Sequence, residues 1–175
     1  MTRPKRILLY GFGPYRQFRQ NITAKIVRSL PPATGLKRVV FPVRFNRRQF
    51  VEALERHKPD VVLGLGQSSR RTMEIETRAA NRRRTDKKAR ARAIRKRGAR
   101  FLPTTLDLKL GRDVKRSNNA GDYVCNFSMY VILEHIQGTG ASIRFGFVHI
   151  PHHVAPLDAA HVVAGSLKRL GVRTG

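Results

Sequence analysis

Short apolar runs alternate along this chain with segments whose apolar residues recur every three or four positions, and that rhythm organises most of it. Ile7-Leu-Leu-Tyr10 is strand-sized and enters a Gly-Phe-Gly-Pro turn. Beyond it Asn21 is suited to a helix N-cap, and Ile22, Ile26 and Leu30 form one apolar stripe. Val39 to Val43 predicts a second strand, in which Pro42 favours a sheet edge or a strand end because it has no N–H for the ladder. Asn46 opens a second helix through Phe50, Leu54 and His57, which Lys58-Pro59-Asp60 closes. Val61 to Leu65 is continuously apolar apart from Gly64, the pattern of a parallel strand buried on both faces.

Thr72 to Ala80 reads as extended, with Met73, Ile75 and Thr77 on one face and Glu74 and Glu76 on the other, so two carboxylates point the same way. After the turn-forming Ser117 to Gly121, Val124 to Ile136 has helical spacing at Phe127, Tyr130, Val131 and Leu133, which puts Cys125 near a helix N-terminus. Ile143 to Ile150 is a strand ending at Pro151, and Leu157 to Leu170 is an amphipathic helix stopped by Gly171. Repeated strand–helix units with right-handed crossovers predict an α/β fold: one domain over residues 1–175, with a doubly wound, mostly parallel twisted sheet flanked by helices. Function then falls to loops at strand carboxyl ends. Those are Gly11, Phe12 and Tyr15 after the first strand, Gly66 and Gln67 after another, and His149 at the end of a third.

Composition adds two constraints. The single Cys125 excludes an intramolecular disulfide and fits a reducing compartment, so a cytoplasmic protein is expected. No apolar run approaches the roughly 20 residues that span a bilayer, so no membrane partner is expected. The charge changes the picture more: 36 Lys plus Arg against 11 Asp plus Glu give +25. Between Arg78 and Arg100 stand 12 basic residues and one acid, Asp86. This tract, about 82–100, reads as a solvated loop, a frayed helix or an insertion, and its charge would attract nucleic acid or another polyanion. With 7% aromatic residues and no Trp, that attraction would be non-specific rather than a stacked reading of bases. Monomer and homo-oligomer are both compatible with the pattern.

The chemistry centres on Cys125. A thiol becomes a nucleophile beside a helix N-terminus or an imidazole, and a cysteine hydrolase also needs a group that fixes the imidazole tautomer. His149 and one of Glu74 and Glu76 are the candidates. Gly121-Asp-Tyr-Val-Cys-Asn-Phe-Ser-Met-Tyr130 resembles the cysteine motif of the pyroglutamyl peptidases. Phe147-Val-His-Ile-Pro151 is similar to their histidine motif, and Glu76 followed by Asn81 to their glutamate motif. Gly11-Phe-Gly-Pro-Tyr15 with Asn21 resembles their opening turn, and Gly66-Gln67 with Arg71 their Gly-Gln segment. The resemblance implies a cysteine-type omega-peptidase that removes N-terminal pyroglutamate from peptides. Cys125 would be the nucleophile, His149 the base and then acid, and Glu76 the group orienting His149. Phe12, Tyr15, Asn21 and Gln67 would bind the lactam. The route needs no metal or organic cofactor.

Three departures from that family stand out. Arg82-Arg-Arg84 and the basic tract replace an acidic, proline-containing loop, Tyr15 replaces a pocket phenylalanine, and Thr105 to Ser117 is short for the helix the family places there. The charge also supports a second reading, an inactive peptidase-like scaffold that binds RNA or another polyanion. His149, His152 and His153 match no standard zinc spacing, and Gly11-Phe-Gly13 lacks the third glycine of a dinucleotide loop.

Overall fold

The computed structural model describes residues 5–111 and 113–172; the rest of the expected 1–175 span lies outside the described residues. In chain order the elements are β1 (Ile7–Phe12), α1 (Ile22–Ser29), β2 (Leu36–Phe41), α2 (Arg47–His57), β3 (Val61–Ser68), β4 (Glu74–Glu76), β5 (Arg78–Ala80), β6 (Phe101–Pro103), β7 (Lys115–Ser117), α3 (Val124–Thr139), β8 (Arg144–Pro151) and α4 (Pro156–Arg169). Six strands form one sheet in the order β2-β1-β3-β8-β4-β7. The first four run parallel. At the β8–β4 junction the direction reverses, and β7 follows β4. The expected mostly parallel sheet therefore carries an antiparallel edge, while β5 and β6 form a separate antiparallel pair.

Side-chain alternation along the strands divides the core in two. Leu8, Tyr10 and Phe12 of β1, Val62 of β3, and Phe145 and Phe147 of β8 pack with α2 and α3. Ile7 and Leu9, Leu63 and Leu65, and Val148 and Ile150 pack on the opposite face with α1 and α4. Helices thus cover both faces, as the continuous apolar strands require. Asn21 and Asn46 cap α1 and α2, each side chain accepting a backbone N–H two residues on, from Thr23 and Arg48. Lys58 ends α2 in the left-handed region at φ 44°.

Several sequence expectations shift. β2 begins at Leu36 and stops before Pro42; it is the edge strand, where charged Lys37 and Arg38 are exposed and hide the strand pattern. The extended segment Thr72 to Ala80 divides at Thr77, whose N–H donates to Ser117 O and whose carbonyl accepts from Thr104 N, so β4 joins the main sheet and β5 leaves it. Residues 82–100 form neither a helix nor a free loop. Arg83 and Arg92 make an isolated bridge, and Asn81 holds the segment from inside. Its Oδ1 accepts from Ile94 and Arg95 N–H, and its Nδ2 donates to Arg95 and Gly98 carbonyls. Tyr130 donates its hydroxyl to Ala99 O, and Arg84–Asp122 and Arg95–Glu134 ion pairs tie the outside. Between β6 and β7 there is no helix among the described residues; Leu106, Leu108 and Leu110 alternate inward instead. No described helix is long and apolar enough to cross a membrane.

Candidate active site

Register places the central side chains before any contact is considered. In the antiparallel β4–β8 pair Glu74 lies opposite His149 and Glu76 opposite Phe147, so both glutamates and the histidine share the face that α3 covers. On the other side of β8, Gly64 and Gly66 of β3 lie opposite Phe147 and His149. The missing side chains make the space: a Cβ at Gly66 would stand 2.8 Å from the Cys125 Sγ and 2.8 Å from the Phe147 ring. Cys125 fills that space from the first turn of α3.

Asn126, fully buried, fixes that turn. Its Oδ1 accepts from Ala80 N–H at 2.8 Å and its Nδ2 donates to the carbonyls of Ala80 and Arg82, both at 2.8 Å. The α3 N-terminus is therefore bolted to β5. Tyr123, the N-cap, supplies no side-chain hydrogen bond and no acid occupies the first turn. The first-turn N–H groups and the positive end of the helix dipole stay available to an anion beside Cys125.

His149 Nδ1 donates to Glu76 Oε1 at 2.6 Å, which leaves Nε2 for the thiol side. Burial pulls the imidazole pKa down, but hydrogen bonding and negative charge from Cys125 and Glu76 outweigh it and raise it to about 9. For Glu76, burial favours the neutral form; hydrogen bonds and charge from His149, with Ser117 and Arg70, outweigh it and hold the carboxyl below its ordinary value. Arg70 Nη1 reaches Glu76 Oε1 at 2.6 Å and also pairs with Glu74, while Nη2 donates to Asn119 O. Glu74 is thus spoken for by Arg70, whereas Glu76 joins Arg70 to His149.

Cys125 and His149 line one cavity of about 590 Å³ together with Phe12, Tyr15, Asn21 and Gln67. Glu76 stands behind His149, out of the cavity. Gln67 Oε1 accepts from Ile22 N–H at 2.9 Å, and Asn21 Oδ1 accepts from the N–H and hydroxyl of Thr23. Both amide oxygens are used at the start of α1, which turns each NH2 into a donor for whatever enters. Tyr15 stacks on Tyr123 at 4.9 Å between ring centres, and Arg16 lies over both rings. His152 lines the same cavity, packing on Phe18 with Nδ1 3.1 Å from Ser68 O. Among the described residues no His, Cys, Asp or Glu cluster could hold a metal ion.

A family model for pyroglutamyl peptidase matches residues 106–163. The pyrrolidone-carboxylate peptidase of Bacillus licheniformis is 32% identical over 168 aligned positions, which cover 84% of this chain and 78% of that one. This chain belongs to the pyroglutamyl peptidase family. It is a cysteine-type peptidase of that family. Pyrrolidone-carboxylate peptidase 1 of Saccharolobus solfataricus is 28% identical over the same share of this chain and 79% of its own. A mutant pyrrolidone carboxyl peptidase of Pyrococcus furiosus superposes with a TM-score of 0.82 at 22% identity, covering 93% of this chain and 96% of that one. The Thermococcus litoralis enzyme gives 0.76 at 21% identity, over 95% and 94%. Pyroglutamyl peptidase structures therefore share this three-layer fold.

For this family member, sequence reasoning misses three contributors. Arg70, which no motif word singles out, reaches Glu76 from a stretch without periodicity, while its neighbour Arg71 is exposed. Tyr123 stands inside the cysteine motif yet gains its place in the cavity wall from Tyr15 and Phe45, both far away in sequence. Arg16 owes its position to a turn in which its own φ is 51°.

Proposed function

We propose that this protein removes N-terminal pyroglutamate from peptides through a Cys125–His149–Glu76 triad. The observation that carries the reading is the buried His149, held through Nδ1 by Glu76 and facing Cys125 at the mouth of a helix dipole. The uncharged lactam ring sits against Phe12 and Tyr15, and its carbonyl accepts from the NH2 groups of Asn21 and Gln67. His149 takes the thiol proton, and Cys125 Sγ attacks the carbonyl carbon that joins pyroglutamate to the next residue. The oxyanion faces the free N–H groups of the α3 first turn. His149 returns the proton to the departing amine, the C–N bond breaks, and a thioester remains. Water attacks it with His149 as base, releasing pyroglutamic acid and the free thiol. Glu76 stays ionised throughout and holds the tautomer, with Arg70 steadying the carboxylate.

Hydrolysis of a fluorogenic pyroglutamyl amide by the purified protein tests the reading. Turnover should fall by about three orders of magnitude or more in Cys125→Ala and Cys125→Ser, with thermal unfolding little changed. Activity that survives both substitutions would remove Cys125 from the role. An inactive wild type whose thiol reacts sluggishly with iodoacetamide would instead favour the scaffold reading.

A further inference from the structure

A second cavity of about 410 Å³ adjoins the one that holds Cys125, and Tyr15, Arg16, Lys87, Asp122 and Tyr123 line both. Pyroglutamate ends its peptide, because the lactam consumes the N-terminal amine. Any substrate group beyond the ring must therefore lie on the leaving side of the scissile bond, and the adjoining cavity is where the site continues. Its charges are unevenly committed. Asp122 is paired with Arg84 at 2.9 Å. Asp86 folds its own turn, its Oδ1 accepting from the N–H groups of Lys88 and Ala89 at 2.8 and 2.9 Å. Among the described residues, neither exposed Arg16, stacked over Tyr15 and Tyr123, nor exposed Lys87 has a carboxylate partner.

The geometry points to this second cavity as a leaving-peptide subsite in which Arg16 and Lys87 select an acidic residue directly after pyroglutamate. The inference rests on the peptidase reading above. It also gives part of the basic tract a task at the active site: Lys87 is where that tract meets the cavity. Arg16 is held over Tyr15, which also walls the lactam end, and over its neighbour Tyr123, so a bound lactam and a carboxylate on the next residue are read by one continuous surface. Both cations are exposed, so each contributes a factor of about 1.5 to 5 and the pair about 2 to 25. Added salt weakens the effect.

The test compares kcat/KM for the amides of pyroglutamyl-Asp, pyroglutamyl-Ala and pyroglutamyl-Lys, with pyroglutamyl aminomethylcoumarin as an uncharged reference, on wild type and Lys87→Glu. For the wild type the expected order is Asp, Ala, Lys. The Asp-to-Lys ratio should fall by about tenfold in Lys87→Glu, and should also shrink as salt is raised to about 0.5 M. Thermal unfolding of the variant checks that this exposed position leaves the fold intact. A wild-type ratio within about twofold of unity, or a ratio indifferent to Lys87→Glu while the coumarin amide is still cleaved, would overturn the subsite alone. Failure to cleave any of the four, the coumarin amide included, would overturn the peptidase reading and the subsite with it.

Discussion

His149 is the residue on which most of the candidate chemistry converges, and its protonation is the most direct quantity to measure. An imidazole raised from 6.5 to about 9 binds a proton in the folded protein over a range where the unfolded chain does not. The sign follows: its contribution to stability is full below about pH 6.5 and is lost as the pH rises through about 9. NMR titration of the imidazole should give a midpoint near 9 in wild type, and a lower one in Cys125→Ala, where one source of the upward shift is gone. A wild-type midpoint near 6.5 would contradict the coupling. Gly66 is the matching steric test. Gly66→Ala sets a methyl against the Cys125 Sγ and the Phe147 ring, at an expected loss of about 1–3 kcal/mol in urea unfolding and a fall in turnover of about a hundredfold or more. Unchanged turnover would mean that the thiol tolerates displacement. Cys125, His149 and Glu76 were each visible in the sequence through motif words, because each word is short and local. Alternation alone left Glu74 and Glu76 open, since they have the same parity; the motif word pointed to Glu76, and it is Glu76 that reaches His149 while Arg70 pairs with both.

Among the elements, α3 and β5 form one mechanical unit through Asn126. Removing its side chain in Asn126→Ala leaves the half-buried Ala80 N–H and the Ala80 and Arg82 carbonyls without their partner, at a cost of about 1–3 kcal/mol. Turnover should fall with it, because the α3 first turn carries Cys125. Urea unfolding and the coumarin assay read the two effects separately, and a loss below about 0.5 kcal/mol would mean that water replaces the amide. The long elements were legible because burial leaves a pattern: recurring apolar residues in α1, α2, α3 and α4, and continuous apolar runs in β1, β3 and β8. β6 and β7 were not, since three residues are too few for any period and Lys115-Arg116-Ser117 is placed by backbone pairing with β4 rather than by apolar side chains. The long arginine tract hid its own order in the same way, being organised by polar contacts, those of Asn81 foremost, rather than by an apolar stripe.

At the scale of the whole molecule the excess of positive charge works against compactness. With +25 on 175 residues, like charges repel across the surface, and only scattered pairs such as Arg47–Glu134 offset them. Raising sodium chloride from about 20 mM to 0.5 M shortens the screening distance from roughly 20 Å to about 4 Å, so the melting temperature should rise by several degrees. A fall would indicate that ion pairs, not repulsion, dominate the balance. The strand order carries a different consequence. β8 is the final strand in the chain yet the fourth of six across the sheet. During synthesis β1, β2 and β3 can associate as they leave the ribosome, whereas β4 and β7 have only each other until residues 144–151 follow. Cys125 and Glu76 are translated before the imidazole that is proposed to connect them exists. Closing the sheet and completing the triad are therefore one late event, and an unfinished chain, crowded among other emerging N-termini, carries a thiol without the base that would make it a peptidase.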